Sequence, residues 1–474
     1  MIMEELQERR RRRAIRVAIT ETFMAISVVF LVAILTLIVM GYGFGKDLEV
    51  ERSGMLQLNS SPSGATVTID DDTLLARTNL SRTLSSGEHT ISITKDGYDT
   101  WSKKIVITEG IYYRLTYPRL FLKERTPTAV LHFDEETTGT LTAASVAPDR
   151  TTMLASAGGT WGIINLSSAE PEFKALDLSI LPASVCMNDV QIQKWSNNSE
   201  KLLTTMVCDG TTEWVLFNVK DPAESVNLTR TFALNFSQIE LENDSADRIL
   251  VLVDNNLREI NVSSLEISKV LLEGVASFTS NSSTVAYVTV VDESGEKSIG
   301  IYKDGEKGGT IISTAASDTV VSAVVNEYYG DEYLIVTIDN QMQIYSGSLP
   351  SYQQKDTTKK LTLTGEETLD FVPATLTIRG DGELVVAQNG ANVAVLDTES
   401  LLISNYITSG QVYWLDSFMF STIQDGNLVA YDFDKTNERP LAGAVSEQYP
   451  AVITSNGKWL YYFSDNTLVR EKIN

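Results

Sequence analysis

Histidine and cysteine are scarce in this chain of 474 residues, and basic residues are outnumbered by acidic ones. A zinc site with three or four His or Cys ligands would use nearly all of the two histidines and two cysteines in the chain. The 38 Lys and Arg face 62 Asp and Glu, a formal net charge of −24 that repels the phosphate backbone of nucleic acids. The composition therefore excludes a nucleic-acid partner, and it favours neither a metal centre nor a cofactor.

The charge is unevenly distributed along the chain. Residues 1–22 carry six arginines and four glutamates, a net charge of +2, so residues 23–474 carry −26. The segment 23–43 has no charged side chain, and about 20 such residues cross the hydrocarbon layer as a helix. Because the arginines precede this segment, the positive-inside rule places the N-terminus in the cytoplasm. We predict a cytoplasmic basic tail at 1–22, a transmembrane signal anchor at 23–45 and extracytoplasmic domains beyond.

A cleaved signal peptide and a buried core helix are the alternatives to an anchor. The apolar core of a signal peptide is about 7–15 residues long and ends in small residues of A-x-A type. The core here is longer and ends in Val-Met-Gly-Tyr-Gly. A helix that is apolar on all faces beside five consecutive arginines is seldom a core helix, so an uncleaved, single-pass anchor in the cell membrane is favoured.

A two-residue period typical of β-strands begins at Met55. Short apolar–polar runs alternate with turn-forming segments rich in Pro, Gly, Ser and Asp up to residue 111. This pattern predicts a small antiparallel β-sandwich at 55–111.

The segment contains Pro62-Ser-Gly-Ala65, Gly87-Glu-His89 and Gly97-Tyr98, and these three separated motifs resemble, in order and spacing, those of the PEGA domain family. Ser63 stands where the family's name-giving motif has Glu, and the usual Asp-Gly hairpin is Asp71-Asp72 here. The resemblance implies a surface or cell-envelope module that carries no catalytic residues. The matching positions, all structural, are Pro62, Gly64, Ala65, Gly87, His89, Gly97 and Tyr98.

His89 is the one residue of these motifs with possible chemistry. As a metal ligand or base it would need a second His, a Cys or clustered carboxylates close by in the sequence, and it has none. A hydrogen-bonded strand histidine is therefore the favoured interpretation.

A weak repeat follows a short extended linker at 112–127. An apolar strand, a turn with Asn, Asp or Gly and a second apolar strand recur eight times, most faintly around Asp244, Gly330 and Asp416. The seven intervals between the turns at Asp149 and Asn456 average about 44 residues, the length of a four-stranded propeller blade.

These units resemble the generic repeats of bacterial β-propellers, without pointing to one named propeller family. The resemblance implies a mainly β chain whose residues 128–474 form a propeller of seven or eight blades. The last unit lacks an outer strand, which the segment after Thr128 would supply. Irregular spacing leaves the blade count open, and a stack of β-sandwiches is the alternative fold.

The two cysteines occupy related positions within one repeat. A hairpin centred on Ser196–Ser199 pairs positions that sum to about 395, and Cys186 and Cys208 sum to 394. The thiols are thus predicted to face each other across neighbouring strands, where an extracytoplasmic environment would oxidise them. Two separate buried thiols remain the alternative, because a slip of one residue reverses the face of a strand.

Candidate catalytic groups are few. His132 is the only histidine after the sandwich, and no G-x-S-x-G nucleophile motif occurs. We favour a non-enzymatic cell-envelope protein that is anchored in the lipid bilayer and presents its propeller to an envelope protein or glycan. The alternative is an extracytoplasmic hydrolase or lyase that uses paired carboxylates in the propeller channel to cleave glycans.

Overall fold

A computed structural model gives the arrangement of the chain. It describes residues 2–39, 42–44, 50–134, 136, 138–242, 245–281, 283–303, 305, 308–350 and 361–474. The faint repeat centre at Asp244 and residues 40, 41 and 45 of the predicted anchor segment lie outside the described residues. The chain divides into two compact units, 1–124 together with Asn474, and 125–473.

A single long helix, α1, covers Ile2–Val39. Its segment Val17–Thr36 is apolar and long enough to cross a membrane, and its side chains pack against no other part of the structure. The hydroxyl of Thr22 donates to the carbonyl of Ala18, and Ser27 and Thr36 make the same i−4 bond, so these three hydroxyls are satisfied within the helix. One N-terminal apolar helix of this kind fits a single-pass anchor or a signal segment.

Two four-stranded sheets follow α1 in the first unit. Their apolar faces enclose a core built around Leu56, Ile91, Ile93 and Trp101, all with no exposed surface. The first sheet contains Tyr42–Phe44, Val50–Leu58, Leu80–Ser85 and Tyr112–Leu115, the last of which runs parallel to Val50–Leu58. The second, in spatial order, contains Asp72–Arg77, Thr66–Ile69, Gly87–Thr94 and Trp101–Ile107.

Eight four-stranded antiparallel sheets form the second unit, and we number them as blades 1 to 8. Blade 1 contains Leu141–Val146, Thr152–Ala157, Thr160–Asn165 and Phe173–Ala175; blade 2 contains Gln191–Trp195, Lys201–Cys208, Thr211–Asn218 and Val226–Asn227. Blade 3 contains Gln238–Leu241, Arg248–Val253, Asn256–Asn261 and Glu266–Ile267; blade 4 contains Val275–Asn281, Thr284–Thr289, Glu296–Lys303 and Thr310–Ala316.

The remaining blades follow the same order of strands. Blade 5 contains Val321–Tyr328, Asp331–Ile338, Gln341–Ser346 and Thr362–Thr368; blade 6 contains Thr375–Arg379, Leu384–Asn389, Asn392–Asp397 and Leu402–Ile407. Blade 7 contains Tyr413–Trp414, Met419–Gln424, Asn427–Asp432 and Arg439–Ala442; blade 8 contains Val452–Ile453, Trp459–Ser464, Thr467–Lys472 and Thr128–His132. Short helices at Leu178–Ile180, Pro222–Glu224, Leu228–Phe232 and Gly380–Gly382 occupy the connections.

Blade 8 is assembled from both ends of the second unit. The strand Thr128–His132 is its outermost strand and pairs with Thr467–Lys472, so that His132 lies opposite Thr467. This pairing ties the first strand of the ring to the last, as the sequence predicts. The fold is a β-propeller, and the blade count that the sequence leaves open at seven or eight is eight among the residues that the structure describes.

The hydrophobic core of the propeller lies between neighbouring blades. The middle strands bury both faces; Arg248–Val253, for example, has five consecutive buried residues. One core cluster joins Phe463 and Tyr461 of blade 8 to Met153 of blade 1, and others join successive blades in the same way. Because each sheet is covered on both faces, these strands read as continuous apolar runs rather than as alternating ones.

Candidate binding channel of the propeller

A channel of about 1900 Å³ runs along the axis of the propeller. The first strand of every blade, or the segment leading into it, contributes to its wall. Because all eight first strands run in the same direction, the turns from first to second strand gather at one end of the channel, which we call the turn end. The channel-lining residues of these turns include Arg150, Asn197, Tyr329, Asp381 and Asp416.

Side-chain hydrogen bonds fix the channel wall from blade to blade. They connect neighbouring blades from blade 1 to blade 6 through strands and turns that share no backbone ladder, and so they hold this part of the wall at a set width. The bonds are Trp195 Nε1 to Ser145 Oγ (2.9 Å), Lys194 Nζ to Glu240 Oε2 (2.6 Å), Gln238 Nε2 to the Phe278 carbonyl (2.6 Å), Thr279 Oγ1 to the Ala323 carbonyl (2.7 Å) and Asn326 Nδ2 to the Gly382 carbonyl (2.8 Å). The channel is therefore a preformed feature of the fold.

The turn of blade 6 is wedged between its two neighbours. Gly380, Asp381 and Gly382 all have positive φ, at 60°, 54° and 93°. A Cβ atom at position 382 would lie 2.1 Å from the carbonyl oxygen of Glu327 in blade 5, and one at position 380 would lie 3.0 Å from the Phe418 ring of blade 7. Glycine is thus required on both sides of Asp381, and the Asp381 carboxylate is exposed at the tip of the turn.

Arg379, at the end of the first strand of blade 6, stacks on an aromatic ring of blade 7. Its guanidinium carbon lies 4.3 Å from the centre of the Trp414 ring, and the side chain borders the channel. The Nε atom is fully buried, and within the described part of the chain no oxygen accepts a hydrogen bond from it. Burial lowers the pKa of Arg379 to about 10, while the Asp416 carboxylate acts in the opposite direction. The side chain is therefore still charged at neutral pH.

Asp416 of blade 7 binds the backbone of its own turn and lies near Arg150 of blade 1. Its Oδ1 accepts the backbone N–H groups of Phe418 and Met419, both at 2.9 Å. Its Oδ2 lies 4.0 Å from Nη1 of Arg150, which reaches it from blade 1. The carboxylate thus holds its own turn and pairs with Arg150.

Among the described residues, no group of three His, Cys, Asp or Glu side chains is placed to hold a metal ion. Burial, opposed by Arg248 and reinforced by Glu259, raises the pKa of Glu242. Arg248 binds both carboxylates, at 3.0 and 2.9 Å, and neither acid lines the channel. His132 is exposed on the outermost strand of blade 8 and bonds Thr467 at 2.8 Å.

The residues of the PEGA-like motifs occupy turns and core positions of the sandwich. Ala65 has no exposed surface, and Tyr98 packs against the sandwich core from its edge. The three glycines of the motifs adopt positive φ, which a glycine tolerates without strain. Pro62 and Gly64 lie in the connection between Val50–Leu58 and Thr66–Ile69, Gly87 begins the strand Gly87–Thr94, and Gly97 lies in the turn after that strand.

His89 is buried and bonded through both ring nitrogens. Its Nδ1 lies 2.5 Å from Asp70 Oδ2, and its Nε2 lies 2.8 Å from the carbonyl of Ser85. Burial by itself lowers the pKa of His89, but the bonds to Asp70 and Ser85 outweigh it, and the pKa is raised overall. The sequence gives no sign of this carboxylate partner, because Asp70 precedes His89 by 19 residues and belongs to another turn.

Cys186 and Cys208 are joined by a disulfide with a Cα–Cα distance of 5.8 Å. Cys208 ends the second strand of blade 2, whereas Cys186 lies in the loop before the first strand rather than in that strand. A β-bulge between Ile192 and Lys194 shifts the hairpin register, so the paired positions sum to 396 or 397 instead of 395. The proximity of the two thiols therefore depends on the loop as well as on the strand register.

The sequence does not single out Arg379. Its one indication is a single arginine directly before a Gly-Asp-Gly turn in an otherwise acidic region. Trp414 is one of six tryptophans, and no motif sets it apart. Their pairing depends on the angle between blades 6 and 7, which a repeat pattern does not reveal.

One segment of the chain matches a known domain family. Residues 53–119 match the PEGA domain family, and no curated protein matches the chain. Similar solved structures include the Cps50 (Swd1) β-propeller domain of Myceliophteria thermophila, at 13% identity over 74% of this chain and 100% of that one, with a TM-score of 0.39. A chain of a mitotic checkpoint complex has 14% identity over 74% and 97% with a TM-score of 0.38.

A chain of a yeast heterotrimeric nucleoporin complex has 8% identity over 63% of this chain and 97% of that one, with a TM-score of 0.41. Similarity at this level carries no functional argument, and the propeller assignment rests on the eight sheets themselves. The chain therefore combines an N-terminal apolar helix, a segment that matches the PEGA domain family and an eight-bladed β-propeller.

Proposed function

We propose that this protein is a membrane-anchored, extracytoplasmic binding or scaffold protein that presents the turn end of its propeller to a protein or glycan partner. The observation that carries the proposal is the preformed channel, whose turn end holds a charged, aromatic-stacked Arg379. Loops from several blades converge there on a rigid frame, an arrangement suited to recognition. We propose no enzymatic activity and no cofactor.

The membrane location rests on α1 and on the arginines that precede its apolar segment. The positive-inside rule predicts that residues after the helix are outside the cytoplasm. Fusion of alkaline phosphatase, which is active only when exported, and of a cytoplasm-dependent fluorescent protein to the C-terminus tests this orientation. We expect an active phosphatase and a dark fluorescent fusion. The reverse pattern would overturn the extracytoplasmic proposal.

Binding at the turn end is tested by position-specific photo-crosslinking in the full-length protein. A benzophenone amino acid replaces Tyr329, whose side chain is 73% exposed and borders the channel. The control replaces Glu293, an exposed residue in the turn from second to third strand of blade 4, at the opposite end. We expect a discrete adduct from position 329 and not from position 293. Equal adducts from both positions, or none from 329, would reject the turn end as the binding surface.

A further inference from the structure

We propose that Arg379 binds a carboxylate carried by an extended peptide of the partner protein, with basic side chains on either side of that carboxylate. This inference rests on the proposed function and names the chemistry recognised at the turn end. It concerns blades 5, 6 and 7, where Arg379, Trp414, Glu327 and Asp381 meet at the channel.

The unmet hydrogen-bonding capacity of Arg379 points to the carboxylate. A guanidinium offers five N–H donors in a planar fork, and buried charges are normally paired. In the described structure the contact recorded for this guanidinium is the face of Trp414 at 4.3 Å, and its Nε has no acceptor. Because Nε is fully buried, a ligand in the channel would bond the two terminal nitrogens, Nη1 and Nη2, which form the outer edge of the planar fork. A planar carboxylate matches that edge.

The exposed acids of the same sector favour basic groups beside the carboxylate. Glu327 and Asp381 are both exposed, and the turn of Asp381 packs directly on the backbone of Glu327. Residues 23–474 also carry a net charge of −26, which repels a partner of net negative charge. A lone carboxylate would pair with the guanidinium of Arg379, and lysine or arginine side chains on either side of it would pair with the exposed acids Glu327 and Asp381.

The aromatic groups at this end favour a peptide over a sugar. Pyranose rings bind on open aromatic faces, but one face of Trp414 is covered by Arg379. The Tyr413 hydroxyl donates to the carbonyl of Glu447 at 2.5 Å, and Tyr329 forms a T-shaped pair with Tyr328, with 4.7 Å between ring centres. Amide side chains such as Gln193 and Gln411 line the channel, where they can bond a peptide backbone.

The test measures binding of fluorescent, end-capped peptides to the full-length protein in lipid nanodiscs. One peptide carries an aspartate between lysine pairs, a second has asparagine in its place, and a third keeps the aspartate but has serines for the lysines. A labelled oligogalacturonate provides the glycan arm. We expect the aspartate–lysine peptide to bind about 10- to 100-fold more tightly than its asparagine counterpart, as for a charge-assisted paired bond.

Arg379→Gln should abolish the preference for aspartate, and Arg379→Lys should retain part of it. The matched control is Arg470→Gln, because Arg470 also stacks on a tryptophan, Trp459 at 4.5 Å, but donates to the Ala169 carbonyl at 3.0 Å and does not line the channel. This control should keep the full preference. Trp414→Phe, which preserves an apolar ring, should weaken aspartate binding and provides a second variant if Arg379→Gln is unstable.

The inference is overturned if the wild-type protein does not prefer aspartate over asparagine, if Arg379→Gln keeps the preference, or if oligogalacturonate shows the stronger Arg379-dependent binding. Crosslinking at position 329 separates this failure from a failure of the proposed function. An adduct that persists in the Arg379→Gln variant leaves the turn end as a binding surface but removes the carboxylate as its ligand.

Discussion

The disulfide between Cys186 and Cys208 gives the most direct test of the propeller's energetics. It closes a loop with a sequence separation of 22 and fastens the segment before blade 2 onto the second strand of that blade. Cys208 is 2% exposed within the core shared by blades 1 and 2, and Cys186 packs against the same cluster. Reduction should therefore loosen the loop without altering any side chain that the core requires.

The expected size of the effect follows from the entropy of the unfolded chain. For a closed loop of this length, the chain-entropy relation gives about 11 cal/mol/K, or about 3 kcal/mol of stability at 25 °C. The unit 125–473 unfolds with an entropy of about 0.7 kcal/mol/K on the usual per-residue scale. Reduction should then lower the midpoint of its thermal transition by about 5 °C.

Calorimetry of the full-length protein in nanodiscs, with and without reductant, measures this shift. Hydrogen exchange adds a local reading, because the Val207 amide donates to the Asn188 carbonyl at 3.0 Å and should exchange faster once the loop is released. The variant with both Cys186→Ser and Cys208→Ser should be insensitive to reductant. An unchanged midpoint, despite complete alkylation of both thiols after reduction, would refute the loop-closure reasoning. Two alkylatable thiols in the untreated exported protein would refute the bond itself.

Two further substitutions have defined expectations. Gly382→Ala should destabilise the propeller by about 1–3 kcal/mol in urea unfolding, because its Cβ meets the carbonyl of Glu327 at 2.1 Å, whereas Gly390→Ala, also at positive φ but with open space around it, should cost less. An equal loss of stability in the two variants would mean that the positive φ alone, and not the contact with Glu327, causes the destabilisation. Because the pKa of His89 is raised, its contribution to stability should be complete below its unfolded pKa of about 6.5 and should disappear as pH rises through the folded value. Urea unfolding of the wild type and of Asp70→Asn between pH 5 and 9 measures this; a variant with an unaltered pH profile would contradict it.

The architecture was accessible from the sequence because turns and strand lengths are local properties. Each blade turn falls where the chain has Asn, Asp or Gly between apolar runs, and the spacing of these turns led to the propeller. The strand beginning at Thr128 could be assigned to the last blade because that repeat lacks an outer strand. The sequence leaves the count at seven or eight because the connections vary in length, from the four residues 317–320 between blades 4 and 5 to the fifteen residues 347–361 between the last two strands of blade 5.

The candidate site was not accessible in the same way. Arg379 and Trp414 belong to different blades and meet only because blades 6 and 7 pack side by side. His89 and Asp70 likewise meet across a strand connection. The middle strands are buried on both faces, so their apolar runs carry no information about which face points to which neighbour. Periodicity therefore locates the blades, while the contacts between them require coordinates.

The acidic exterior and the channel arginine would act on a partner over different distances. Charges on the exposed surface are screened beyond about 8 Å at physiological ionic strength, so the net −26 of residues 23–474 governs approach and depends strongly on salt. Arg379 is half-buried with its Nε fully enclosed, so its bond to a carboxylate would be screened less than a pair on the exposed surface. Raising the salt concentration should then reduce the contribution of the flanking lysines to peptide affinity, while the preference for aspartate over asparagine persists. A single arginine in an acidic propeller can thus set specificity without making the surface attractive to acidic polymers.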